Sequence, residues 1–165
     1  MIDLRPVGYI IGRLLLLLGL LMLIPAALDW MLNNANAEGF VKSALFTGGV
    51  GAVVVLTTRN GIGAGLGTRK AFLLTLLIWT VVPLFAALPF IVGAPGMGLT
   101  NAYFEAVSGL TTTGATVIVG LEGYPEGMNL WRGMLNWLGG LGIAVIALIF
   151  LPVMRNPPST GFATV

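Results

Sequence analysis

Four long apolar runs divide the chain, and short polar stretches separate them. Val7–Leu28 is the first, with the run Leu14–Leu18 at its heart and one internal charge, Arg13, near its start. Phe40–Leu56 is the second, and its centre reads Thr47-Gly48-Gly49-Val50-Gly51-Ala52. Ala71–Val92 is the third, with Pro83 and Pro89 in its last half. Leu130–Leu151 is the fourth, with Trp131 and Trp137 near its start and Pro152 at its end. Each is close to the roughly 20 residues that an α-helix needs to cross a bilayer. The pattern predicts four transmembrane helices. The small residues of the second run predict close backbone packing, the prolines predict a kink in the third, and the two tryptophans predict an interfacial belt.

Composition agrees. Of 165 residues 57% are hydrophobic and 8% are charged, and the mean hydropathy is +0.98. A soluble domain carries about 25% charged residues, so a soluble enzyme is excluded, and disorder with it. Cysteine and histidine are both absent. That removes disulfides, thiolate nucleophiles and the commonest general base. The net charge of +2 is too small to suggest nucleic acid. The first run is too long for a cleaved signal peptide, and Asp29-Trp30 after it is no small-residue cleavage site.

Basic residues orient the spans. Arg5 and Arg13 flank the first start, and Arg59, Arg69 and Lys70 lie in the second connection. The connection at 29–39 carries Asp29 and Glu38 and no Lys or Arg. The N terminus and residues 57–70 are therefore expected in the cytoplasm, and 93–129 outside, with Lys42 and Arg132 as outer exceptions.

The connection from 93 to 129 is long, apolar and not of low complexity. Gly93-Ala94-Pro95-Gly96 is a turn signal, Thr100-Asn101 offers a cap, and Thr100–Leu110 reads as a helix about 16 Å long at about 1.5 Å per residue. That is about half the hydrocarbon thickness, so the helix is expected to enter the membrane and stop. Thr111-Thr112-Thr113-Gly114-Ala115-Thr116-Val117 follows. Threonines are poor helix formers and Gly114 permits unusual backbone angles, so an extended segment is expected. Non-helical backbone at that depth must be buried in protein or line a water-filled path. A half-helix with its negative end aimed at a Thr/Gly strand is the build of a cation selectivity filter. Ser108 and the threonines also admit a plain reading as helix hydrogen-bonders.

The run Phe104-Glu105-Ala106-Val107-Ser108-Gly109-Leu110-Thr111-Thr112-Thr113-Gly114-Ala115-Thr116 resembles the first pore helix and filter of the TrkH branch of the Trk/Ktr/HKT potassium transporters. Leu130-Trp131-Arg132 and Asn136-Trp137-Leu138-Gly139-Gly140-Leu141-Gly142-Ile143 resemble the helix after that filter, and Arg69–Pro89 the helix before it. The resemblance implies four helix–pore-loop–helix repeats in one chain, often after an extra helix pair. It also implies dimers, and gating by a cytoplasmic nucleotide-binding ring of the TrkA type. By it, residues 1–70 are the extra pair, 71–155 the first repeat and 156–165 a tail. The tail's Pro158–Thr164 resembles a later filter of the family, so it reads as a deletion or truncation scar.

The resemblance further implies that carbonyls of Thr112, Thr113, Gly114 and Ala115 line a K⁺ path flanked by Thr111 and Thr116, with no covalent chemistry and no cofactor beyond K⁺. Glu105, Ser108 and Arg132 are expected as support. Glu105 either bonds what holds the filter or sets a negative field at the pore mouth. Arg132 either pairs with Glu122 or Glu126 or tunes ion occupancy. The implied setting is the lipid bilayer of the inner membrane. One strand cannot enclose an ion, so remaining pore repeats or a homo-oligomer are needed. The rival readings are a non-conducting assembly or structural subunit, and a truncated fragment. Gly61–Gly67 has no strand before it and reads as a flexible loop, not a phosphate cradle.

Overall fold

The computed structural model describes residues 4–61 and 68–155. The stretch 62–67 and the tail 156–165, on which the loop and scar expectations fall, lie outside the described residues. The chain is all-helical there: α1 Arg5–Met31, α2 Ala37–Thr58, α3 Thr68–Ala86, α4 Leu88–Val92, α5 Leu99–Leu110 and α6 Glu126–Arg155. Among the described residues, α1, α2 and the α3–α4 unit are long and apolar enough to cross a membrane. Helix α6 has 30 residues, about 45 Å at 1.5 Å per residue, longer than a hydrocarbon core of about 30 Å. Large apolar side chains face outward, Phe72 at 75% and Leu76 at 61% exposure among them. A soluble surface would not carry them in such number; a lipid-facing one does.

Helices α1, α2 and α6 run two to four residues beyond their apolar stretches at each end, and α3 starts three residues early. The helix ends at Leu4, Asn36, Ala87 and Gly98 carry no side-chain cap. Thr100 and Asn101 lie inside the first turn of α5, and Gly98 is its cap residue. With α1 reaching Met31 and α2 starting at Ala37, the first connection shrinks to residues 32–36.

So short a connection makes α1 and α2 an antiparallel hairpin. Small residues set its closeness. A Cβ added to Gly51 would stand 2.8 Å from the Leu16 nitrogen, and one on Gly19 would stand 3.0 Å from the Ala44 carbonyl. Backbone meets backbone, as the second span's composition predicts. Leu15, Leu18, Met22 and Ala26 of α1 recur at helical spacing and join Phe40, Phe90, Trp131 and Leu135 in one buried core.

Pro89 breaks the third span. It has no N–H to give, so the helix stops at Ala86 and restarts at Leu88. Phe90 N donates to Ala87 O at 3.0 Å, which leaves the Ala86 carbonyl without a helical partner. The Trp131 indole donates to it at 3.1 Å. Trp131 is fully buried and meets the Phe40 ring edge-on at 6.2 Å. It is therefore not a belt residue; Trp137, 66% exposed, faces outward.

The re-entrant α5 lies along α6. Its last turn approaches so closely that a Cβ on Gly139 would overlap the Leu110 carbonyl, and one on Gly109 would stand 2.9 Å from the Leu135 Cβ. Glycines here are packing residues.

Candidate functional site

Helix α5 ends in a two-bond closure. Thr112 N donates to Gly109 O at 2.9 Å and Thr113 N to Ser108 O at 3.0 Å. This is the Schellman pattern, whose pivot residue is left-handed and usually glycine. Here the pivot is Thr112, with φ +57°. A β-branched residue in that region costs about 1–3 kcal/mol, a cost that surrounding contacts must offset. Thr111 supplies part of the offset: its hydroxyl bonds Val107 O at 2.8 Å and the Thr113 hydroxyl at 2.8 Å. Gly114 follows with φ +74°, and residues 113–120 have no regular structure.

A buried carboxylate anchors the far end of this segment. Glu105 is 4% exposed. Its Oε1 accepts the Thr116 hydroxyl and the Val117 N–H, each at 2.6 Å. Its Oε2 faces Arg132 Nε at 3.3 Å. Arg132 thus pairs with Glu105, not with Glu122, which lies in the turn Leu121–Gly123 before α6, or with Glu126, six residues before it on α6. Ser108 donates to the Ala115 carbonyl at 2.6 Å. That carbonyl, expected to face an ion path, is turned toward α5 instead.

Two separate bonded groups hold the extended segment: Thr111, Thr113 and Ser108 at the end of α5, and Thr116, Glu105 and Arg132 at its far end. Residues 112–117 are all exposed. Among the described residues nothing donates to the carbonyls of Thr112, Thr113, Gly114 or Thr116. The N–H groups of Thr112, Thr113, Gly114 and Val117 are spent on positioning, and these four carbonyls are left open. Open backbone oxygens of this kind can replace part of a cation's hydration shell.

Sequence reasoning misses a second polar group. Asp29 is fully buried at the end of α1. Its carboxylate accepts Asn36 Nδ2 and Gly127 N, both at 2.7 Å. Asn36 Oδ1 accepts Ala94 N at 2.6 Å. The one signal available is an Asp beside an apolar span end, which also reads as an ordinary loop charge.

These features define a class: a polytopic helical membrane protein with a re-entrant helix that ends in an extended, carbonyl-bearing segment. Residues 37–161 match the TrkH family of cation transport proteins, and the chain belongs to that family. The Trk system potassium uptake protein TrkH of Halomonas elongata is 40% identical over 153 residues, which cover 92% of this chain and 32% of that protein. TrkH of Escherichia coli K12 is 36% identical over 151 residues, covering 91% and 31%. The crystal structure of the potassium transporter TrkH from Vibrio parahaemolyticus superposes with a TM-score of 0.85 at 36% identity, over 93% of this chain and 33% of that one. The chain spans about a third of the length of these relatives. Theirs is a family of transporters, not enzymes.

Proposed function

We propose that residues 111–117 are one strand of a potassium filter, and that K⁺ passes when further strands complete the ring. The row of unpaired carbonyls at Thr112, Thr113, Gly114 and Thr116 carries this reading. Backbone acceptors in a membrane bundle are normally paired. Here a carboxylate, a hydroxyl and a helix end hold the segment so that they stay open. A dehydrated K⁺ takes several such oxygens at once. Thr112, Thr113 and Gly114 would face the ion, and Ala115 would serve as a bracket through Ser108.

Residues 71–155 would be the repeat that carries the strand, and 1–70 a helix pair packed against it. Arg59, Arg69 and Lys70 support a cytoplasmic side for their connection, and for the N terminus with it. A nucleotide-binding ring of the TrkA type would act from that side. The relatives are potassium uptake proteins, which supports the choice of ion.

The test places residues 37–155 of this chain into E. coli TrkH in place of the matching segment. Rubidium uptake is then measured in cells that lack other potassium uptake, with surface labelling to confirm insertion. Uptake that potassium competes and that Gly114→Asp abolishes is expected. Unchanged uptake by an inserted Gly114→Asp variant would overturn the reading.

A further inference from the structure

We infer that Asp29 and Asn36 are positioning residues that clamp both ends of the re-entrant connection, so that the N-terminal helix pair sets the register of the Thr111–Val117 segment.

Two features of the structure meet here. The first is the hydrogen bonding. Gly127 N belongs to the first turn of α6, where no intrahelical acceptor exists; Asp29 Oδ1 supplies one. Ala94 N lies just after the end of α4, and Asn36 Oδ1 supplies its acceptor. Asn36 Nδ2 to Asp29 Oδ2 joins the two halves. Four segments meet on two side chains: the end of α1, the start of α2, the connection after α4 and the start of α6. The second feature is steric. A Cβ on Gly127 would overlap the Asp29 carboxylate, and one on Gly93 would stand 2.6 Å from Asn36 Oδ1. Both glycines are needed for the backbone to come within reach of the clamp.

The clamp connects to the segment through α6. Arg132 follows Gly127 on that helix, about 7.5 Å along its axis at 1.5 Å per residue. It meets Glu105, and Glu105 holds Thr116 and Val117. A start of α6 that drifts carries Arg132 with it. The far end of the segment then loses one of the groups that fix its anchor.

The clamp does not rest on the proposed function. Amide hydrogen exchange is measured by mass spectrometry on the 165-residue chain in bilayer nanodiscs. In Asp29→Ala, exchange at Ala94 and Gly127 is expected to rise about tenfold, the ratio equivalent to about 1.4 kcal/mol. Exchange across 113–118 should rise with it, while 12–19 and 44–51 keep their protection. Asp29→Asn keeps an oxygen for Gly127 but turns an N–H toward Asn36, so only Ala94 is released. Asn36→Ala likewise releases Ala94 alone, and these two variants carry the test if Asp29→Ala does not fold. Unchanged exchange at both amides overturns the clamp, as does a uniform rise across α1 and α2. A rise confined to 94 and 127, with 113–118 unmoved, overturns the positioning role. Should Gly114→Asp leave uptake intact, the ion-path reading fails and the exchange pattern still decides the clamp.

Discussion

Glu105 is where single-residue chemistry bears most. Its two oxygens serve three donors, and its side chain is 2% exposed against 20% for Arg132. Removing it leaves the Thr116 hydroxyl, the Val117 N–H and a half-buried guanidinium without their acceptor. Breaking a buried pair from one side costs about 3–5 kcal/mol, whereas replacing both partners by apolar groups is often near neutral. Glu105→Ala should therefore destabilise the chain by about 3–5 kcal/mol, and Glu105→Ala with Arg132→Met by less. Thermal unfolding followed by circular dichroism in nanodiscs measures both. A double variant no better than the single would show that Arg132 is not the partner that matters. The carboxylate is legible in the sequence, because an acid on a short apolar helix has few other uses. Its pairing is not: Arg132 is 27 residues away, and only the packing of α5 on α6 selects it over Glu122 and Glu126. Thr112 is hidden for a different reason. Three adjacent threonines look alike, and only the helix-end closure singles out the one that turns left-handed.

At the scale of elements, hydropathy marks the existence of each long helix and misses its ends. Apolar composition reports which residues can sit in lipid, and a helix continues past that limit while its backbone bonds persist. The usual stop signals are also missing, since α1, α2, α4 and α5 start without side-chain caps. That is why Asp29 reads as a loop charge when it sits inside α1. The break at Pro89 is legible, although Pro83 stays inside α3; the group that takes up the stranded carbonyl is not. Trp131 gives a clean test of that partnership. Trp131→Phe keeps a ring against Phe40 but leaves Ala86 O unpaired in the core. An unsatisfied buried acceptor costs about 1–3 kcal/mol, so the variant should unfold earlier by that amount. Trp137→Phe, on an exposed position, should change stability by less than about 0.5 kcal/mol. Equal effects at the two tryptophans would refute the assigned roles.

The whole molecule presents its strand on the outside. Residues 112–117 are exposed, although Glu105, Ser108 and Thr111 hold them in place. A strand held so firmly and left open on one side is half of an interface. One strand offers one carbonyl at each level of a path, and a dehydrated cation needs several. On the proposed filter reading the remaining oxygens come from other strands, and relatives about three times as long have room for further repeats to supply them. Copies of this chain are the other arrangement that symmetry permits. The two differ in a measurable way. Proteoliposomes holding only the 165-residue chain should take up no rubidium if further repeats supply the strands. If four copies close a ring instead, uptake appears, and mixing wild type with Gly114→Asp lowers it as the fourth power of the wild-type fraction. An equal mixture would then retain about one-sixteenth of the uptake, because a closed ring of four works only when every position is intact. A linear fall would mean that each chain conducts alone, which a single row of carbonyls cannot support.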